Sequence, residues 1–449
     1  MVQDERAYGT LTQHTYGNWR PQSGWREPLF IQSACGSSFR DAAGKEYLDF
    51  SSQLMCSNLG HGNQVIVEAI REQAGKLSYV APGFACDAKA RAVESLLEAL
   101  PPGLDRLFFS TSGTEANEAA LKIIRQFMKD QGKYKIISRY RSYHGSTAGS
   151  IALTGDPRRW FAEPVNTVPG VIFAPDAYCY RCPFHLSLPG CGIQCAEYVD
   201  YMIKEEGNVA AIFVEPVVGT NGVIVPPEGY FQRLREIADE NGVLLVADEV
   251  MSGWYRTGKR FAIEHWGVTP DILTTAKGCT GAYTPVGVTA TTGKIHDYFQ
   301  ERFFSHGHTY AMHPLALSAI PAALGEYERI MATGQPQLAS EHLREGLLAL
   351  QDRHLSIGDV RGLGHFWAVE LVKNRHTREP FNTKADKAAL KPLAVSALAG
   401  EMLKRGVYVA AWYNHFIVAP PLIVTEEEID RGLEVMDDVL RLADEKTTG

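Results

Sequence analysis

The sequence predicts an α/β protein: a large domain with a mostly parallel sheet flanked by helices, and a smaller α+β domain. Two observations carry this. From about residue 65 to 330, short and continuously apolar runs alternate with helical stretches, the pattern of strands buried on both faces. Beyond residue 330, long helices flank only a few strands. A chain of 449 residues is long enough for two domains. They partition as 1–60, an arm and hairpin joining the small domain; 61–330, the large domain; and 331–449, the small one.

Residues 1 to about 35 carry Trp19, Trp25, Gly and Pro with little periodicity and read as an extended arm. The stretch from Phe39 to Phe50 alternates about Asp41-Ala-Ala-Gly44 and reads as a hairpin. Helical stretches follow at 63–78, 87–100, 115–131, 194–206, 228–241 and 313–331. The apolar runs between them are 107–110, 135–138, 171–174, 210–215, 243–248, 272–275 and 286–291. The C-terminal part reads as helix 339–353, strand 366–373, helix 387–405, strands 406–411 and 415–419, and helix 426–443. There is no internal repeat and no low-complexity segment.

Composition bounds the function. Hydrophobic residues make up 45% and charged residues 21%, ordinary for a soluble globular protein. A net charge of −8 argues against nucleic acid or an anionic membrane as partner. The N-terminal stretch lacks the apolar core of a secretory signal, and no run reaches the roughly 20 apolar residues of a spanning helix. The expected location is cytoplasmic. Eight cysteines do not make a disulfide scaffold at this length. Four are bunched, in Cys179-Tyr-Arg-Cys182 and Cys191-Gly-Ile-Gln-Cys195. The plain reading is a surface loop with reduced thiols. A structural metal or disulfide clip is the alternative, because spacing alone does not show that four sulfurs converge. No catalytic metal is expected.

In an open parallel sheet, ligands gather at the carboxyl ends of the strands. Strand 107–110 runs into Ser110-Thr-Ser-Gly-Thr-Glu-Ala-Asn117 and then a helix, whose free N–H groups suit a phosphate. Thr114 is equally an N-cap with no ligand. Strand 243–248 ends in Asp248-Glu249; a buried acid there needs a cationic or protonated partner, and a protonated pyridine nitrogen would serve. The alternatives are a helix cap or a metal ligand. Strand 272–275 leads to Lys277-Gly278, in a Thr/Ala/Gly setting where a desolvated amine loses its proton more readily and can attack an aldehyde. Tyr143-His144-Gly145 offers an aromatic face, although an aromatic after a strand is more often packing.

Taken in order, these segments resemble the class III (omega) aminotransferases among the fold-type I pyridoxal-phosphate (PLP) enzymes, over about residues 30 to 440. The motifs are Ser112-Gly-Thr-Glu-Ala-Asn117, Tyr143-His-Gly145, Glu215-Pro216, Asp248-Glu-Val250 with Arg256-Thr-Gly258, and Lys277-Gly278. His308-Thr-Tyr310 with His313-Pro314, and Pro420-Pro421-Leu422, complete them. The nearest subgroups are amine:pyruvate and taurine:pyruvate transaminases. The resemblance implies a ping-pong transfer of an amino group from an omega-amino acid or amine to a keto acid such as pyruvate.

The same resemblance implies roles for single residues. Lys277 would hold PLP as a Schiff base and shuttle a proton, and Asp248 would pair with the pyridine nitrogen. Tyr143 would stack on one ring face and Val250 press on the other, and His144 would be among the cofactor-binding residues. Ser112, Gly113 and Thr114 would bind the phosphate, with Glu215 near the ring. Thr309 would reach the phosphate of the neighbouring subunit in a homodimer, or a tetramer built from it.

Two departures bear on the substrate. The position of the family's mobile arginine matches Ala410, which leaves Arg26, Arg40 and Arg361 as candidates for the carboxylate, Arg361 being equally a structural ion-pair residue. Met55 stands where relatives often carry tryptophan. The closest competing reading is a class III decarboxylase or racemase on the same lysine. A nucleotide-dependent enzyme lacks its Gly-x-x-x-x-Gly-Lys-Ser/Thr motif, and a ligand sensor would want an attached partner domain.

Overall fold

The computed structural model describes residues 5–163 and 168–448. Its centre is a seven-stranded sheet in the spatial order Leu104–Ser110, Gly287–Thr292, Ile272–Thr275, Leu244–Asp248, Val209–Val214, Lys135–Arg139, Val171–Ala174. Gly287–Thr292 runs antiparallel to both neighbours, and the other pairs are parallel. Val209–Val214 and Leu244–Asp248 are buried at every residue, as strands covered on both faces must be. Apolar clusters on the two faces seal the sheet, one around Phe231, Trp254 and Phe261 and one around Ile124, Phe213 and Val246.

A separate core gathers Leu48, Phe50, Leu343, Trp367, Phe416 and Met436. It sits on the sheet Ile357–Leu363, Phe366–Asn374, His415–Val418, Ala410–Trp412 and on the helices Gln335–Arg353, Ala394–Lys404 and Glu426–Asp444. The N-terminal hairpin, Ser38–Asp41 with Glu46–Asp49, joins this part of the chain through a parallel pairing with Val407–Tyr408.

Several expected elements differ. The arm is not wholly extended: Glu5–His14 is a helix and Ile31–Cys35 a strand. Gly9, Thr10 and Thr12 lower the helix propensity of the first, so the sequence gives little sign of it. Residues 1–4 lie outside the described residues. The helix expected at 115–131 begins at Gly113, because Ser112 and not Thr114 is its N-cap; the Ser112 Oγ accepts the Glu115 N–H at 3.2 Å. The helix expected at 387–405 is two, Lys384–Ala388 and Ala394–Lys404, since Pro392 cannot continue a helix. The run 406–411 splits between two sheets, and Ile357–Leu363, whose glycines mask the strand pattern, pairs along Phe366–Asn374.

Candidate active site

Five strand ends empty into one cavity of about 450 Å³. Ser112, Gly113, Thr114, Tyr143, His144, Glu215, Asp248, Val250 and Lys277 all line it. Thr309 does not. It is exposed, and its carbonyl accepts the Tyr79 hydroxyl at 3.1 Å.

At one end, strand Leu104–Ser110 turns into helix Gly113–Phe127. The helix start faces the cavity with free N–H groups and the positive end of its dipole. Gly113 is needed for close approach: a Cβ there would stand 2.5 Å from Val250 Cγ1. One turn on, Asn117 reaches back to the strand ends. Its Nδ2 donates to Asp248 Oδ2 at 2.7 Å and to the His144 carbonyl at 2.7 Å, and its Oδ1 accepts the Thr274 hydroxyl at 2.6 Å.

Asp248, the last residue of its strand, is 3% exposed. Its Oδ2 also meets His144 Nδ1 at 2.7 Å, and its Oδ1 accepts the Val250 N–H at 3.0 Å. A carboxylate so held is fixed in direction, and it is one of the residues that line the cavity. Glu215, raised above the usual carboxylate range by burial, accepts the backbone N–H groups of Tyr143 at 3.0 Å and Gly219 at 2.8 Å. It therefore fixes the backbone of the aromatic residue.

Lys277 follows strand Ile272–Thr275 with φ +48°, a left-handed conformation costly for a residue with a side chain. Burial lowers the pKa of its amine, while the nearby Cys56, Asp248 and Glu215 pull it back up. The amine is thus nearer to its neutral, nucleophilic form than a surface lysine.

The carboxylate candidates separate. Arg361 is a structural residue: it pairs with Asp359 at 2.7 Å and Glu370 at 2.8 Å, and its Nε donates to the Gly222 carbonyl at 2.6 Å. Arg40 is spent on Glu46 at 2.7 Å in solvent, and Arg26 is exposed. Ala410 lies in a short strand with its N–H on Ser51 Oγ at 2.8 Å. Met55 is packed into the core and Cys56, its neighbour, lines the cavity. Nothing in the spacing of the sequence marks Asn117 as the holder of Asp248, or marks Arg158, whose guanidinium lies 3.7 Å from the Tyr143 ring centroid; the Asp156-Pro157 helix start before it is the only local sign.

Cys179, Cys182, Cys191 and Cys195 line a second, smaller cavity of about 170 Å³. All four are free thiols, and burial pushes Cys195 up to about 12. Among the described residues no three His, Cys, Asp or Glu side chains are arranged to hold a metal ion. Among the same residues no helix is long and apolar enough to cross a membrane.

Comparison with known proteins fits this geometry. Residues 22–440 match the family model for class III aminotransferases. The chain is 36% identical over 433 residues to a probable aminotransferase of Mycobacterium tuberculosis, covering 94% of this chain and 91% of the relative. It is 34% identical over 431 residues to a leucine/methionine racemase of Thermococcus litoralis, covering 94% and 93%. The fold superposes with a TM-score of 0.93 on the crystal structure of taurine:2-oxoglutarate aminotransferase from Bifidobacterium kashiwanohense, solved with PLP and glutamate. That likeness carries 34% identity and covers 100% of both chains. With sequence, fold and cavity in agreement, this chain belongs to the class III aminotransferase family and is a PLP-dependent transferase.

Proposed function

We propose that the enzyme is an omega-transaminase, moving an amino group from an omega-amino acid or amine, of the taurine or β-alanine type, to a keto acid such as pyruvate. The observation that carries this is the single cavity shared by the Lys277 amine, the Asp248 carboxylate and the start of helix Gly113–Phe127.

The residues suit the cofactor. Gly113 lets the helix start lie close against Val250, and Ser112 and Thr114, which carry hydroxyls, line the cavity beside it, a setting that suits a phosphate. The held carboxylate of Asp248 suits a protonated pyridine nitrogen, and Tyr143 and Val250 offer a ring face each. Bound PLP supplies an electron sink for charge at the substrate carbon. With the cofactor in place, Lys277 would hold it covalently through Nζ, and the amine, once displaced by the incoming donor, would take a proton from the substrate carbon and return it. Glu215 and His144 act by holding Tyr143 and Asp248 in place. The division at residues 60 and 330, a cytoplasmic location, and a homodimer in which Thr309 reaches the neighbouring subunit's phosphate belong to the same proposal.

The likeness to a racemase favours one second reading, racemisation on the same lysine. Incubation with β-alanine or taurine, and separately with an L-amino acid, with and without pyruvate, separates the two. Transamination gives alanine from pyruvate, and double-reciprocal plots for donor and acceptor are parallel. Loss of optical activity in the L-amino acid without any keto acid would replace it with racemisation.

A further inference from the structure

Residues 175–193 join strand Val171–Ala174 to helix Gln194–Glu206 with no regular element but the turn Cys179–Arg181. From Cys182 to Gln194 the backbone hydrogen bonds are local. The His185 N–H meets the Cys182 carbonyl, the Cys191 N–H meets Ser187, and the Gln194 N–H meets Cys191. Leu186 and Leu188 are exposed, so little core holds the segment. A long loop of this kind is uncommon unless it has a task of its own. The transaminase chemistry uses none of its residues, yet four thiols line one cavity within it.

Two of these thiols are set for each other. Cys179 opens the three-residue turn and Cys182 follows its last residue. A tight turn brings residues three apart to within about 7 Å at Cα, a span that overlaps the roughly 4.4–6.8 Å a disulfide bridges. Desolvation raises the pKa of Cys179, and among its neighbours the Cys182 thiol adds most, ahead of Cys191. Cys179 is exposed and Cys182 half-buried, so a small reagent reaches the first and the second can follow. Cys195, pushed up to about 12 by burial, is a poor nucleophile. Among the described residues no three of the thiols are placed around one ion, so the arrangement favours a thiol pair over a metal clip.

The same turn ties the loop to a distant strand. Arg181, inside the turn, donates Nε to Glu370 Oε1 at 2.6 Å and Nη1 to the Arg378 carbonyl at 2.7 Å. Arg378 donates in return to the Tyr180 carbonyl, and the Tyr178 hydroxyl donates to Glu370. Glu370 lies in strand Phe366–Asn374 and is 1% exposed.

We propose that Cys179 and Cys182 are a redox-active dithiol, a modification site for a low-molecular-weight disulfide, whose closure stiffens the turn that holds strand Phe366–Asn374. The Cys179 thiolate attacks one sulfur of the small disulfide and expels one small thiol. Cys182 then attacks the Cys179 sulfur of the mixed disulfide and expels the other. One S–S bond breaks and one forms, and the two cysteine protons end on the two released thiols. In a reducing compartment such a pair rests as the dithiol and closes only transiently.

The test exposes the holoenzyme to oxidised glutathione at pH 8.5, where more thiolate is present. Wild type, Cys182→Ser, Cys195→Ser and Arg181→Gln are read by thiol counting, intact mass and thermal melting. Wild type is expected to lose two thiols, keep no glutathione, and melt a few degrees higher. Cys195→Ser should do the same, while Cys182→Ser stops at one glutathione held on Cys179. Arg181→Gln, which unties the turn from Glu370, should close the disulfide with a smaller gain in melting temperature. A wild type that loses no thiols would overturn the proposal. So would a disulfide that survives Cys182→Ser and is abolished by Cys195→Ser, or closure that leaves the melting temperature unchanged.

Discussion

His144 Nδ1 and Asp248 Oδ2 stand 2.7 Å apart, with both side chains withdrawn from solvent. Together with Asn117, this contact leaves the carboxylate no freedom to turn away from the cavity. Asp248→Asn removes the charge that would hold a pyridine nitrogen protonated. We expect kcat to fall roughly a hundredfold or more, with PLP still bound. Asn117→Ala removes one hydrogen bond to the carboxylate and should lower kcat about tenfold. Steady-state rates on both variants check this.

The Lys277 amine titrates below its ordinary range because burial disfavours its charge. Between that lowered value and about 10.5 the unfolded chain binds a proton that the folded chain does not, so the stability of the apoenzyme rises with pH there. Lys277→Met lacks this slope. Urea unfolding of both apoenzymes at pH 7.5 and 9.5 should show the wild type gaining on the variant as pH rises; equal gains would contradict it.

Glu370, almost fully buried, feels burial pushing its pKa up, but Arg361, Arg181 and the Tyr178 hydroxyl outweigh it and bring it down to about 2. A depressed carboxylate contributes stability that is complete above about 4.5 and is lost as pH falls towards 2. Glu370→Gln leaves Arg361 and Arg181 facing a neutral amide, at a cost of about 3–5 kcal/mol. Arg361→Gln should also lower the melting temperature while leaving KM for pyruvate unchanged. A rise in that KM would return Arg361 to the substrate.

Gly113 touches the side of Val250 that an added Cβ would strike at 2.5 Å. Gly113→Ala should weaken PLP binding about tenfold, the effect of roughly 1–3 kcal/mol of overpacking. Adding Val250→Ala should restore part of it. The double-mutant cycle on PLP affinity reads the coupling directly.

The parallel sheet was legible because its strands are continuous apolar runs, and the cavity because its polar residues sit at their carboxyl ends, where chain order maps onto space. Glu5–His14 was not, since glycine and threonine blur its helical character. Asn117 and Arg158 were hidden for a different reason. Their partners, Asp248 for the first and Tyr143 and Trp412 for the second, are distant in sequence and meet them only through packing. Arg361 read equally well as an ion-pair residue or a substrate anchor until Asp359 and Glu370 were found on its guanidinium.

The most direct test of the central claim is the absorbance spectrum of the purified protein, followed on adding taurine, β-alanine and a benzylic amine in turn. The account predicts a visible band from lysine-bound PLP, bleached by the right donor and restored by pyruvate. A protein with no band after PLP is added, and with a spectrum that Lys277→Ala leaves unchanged, would contradict it.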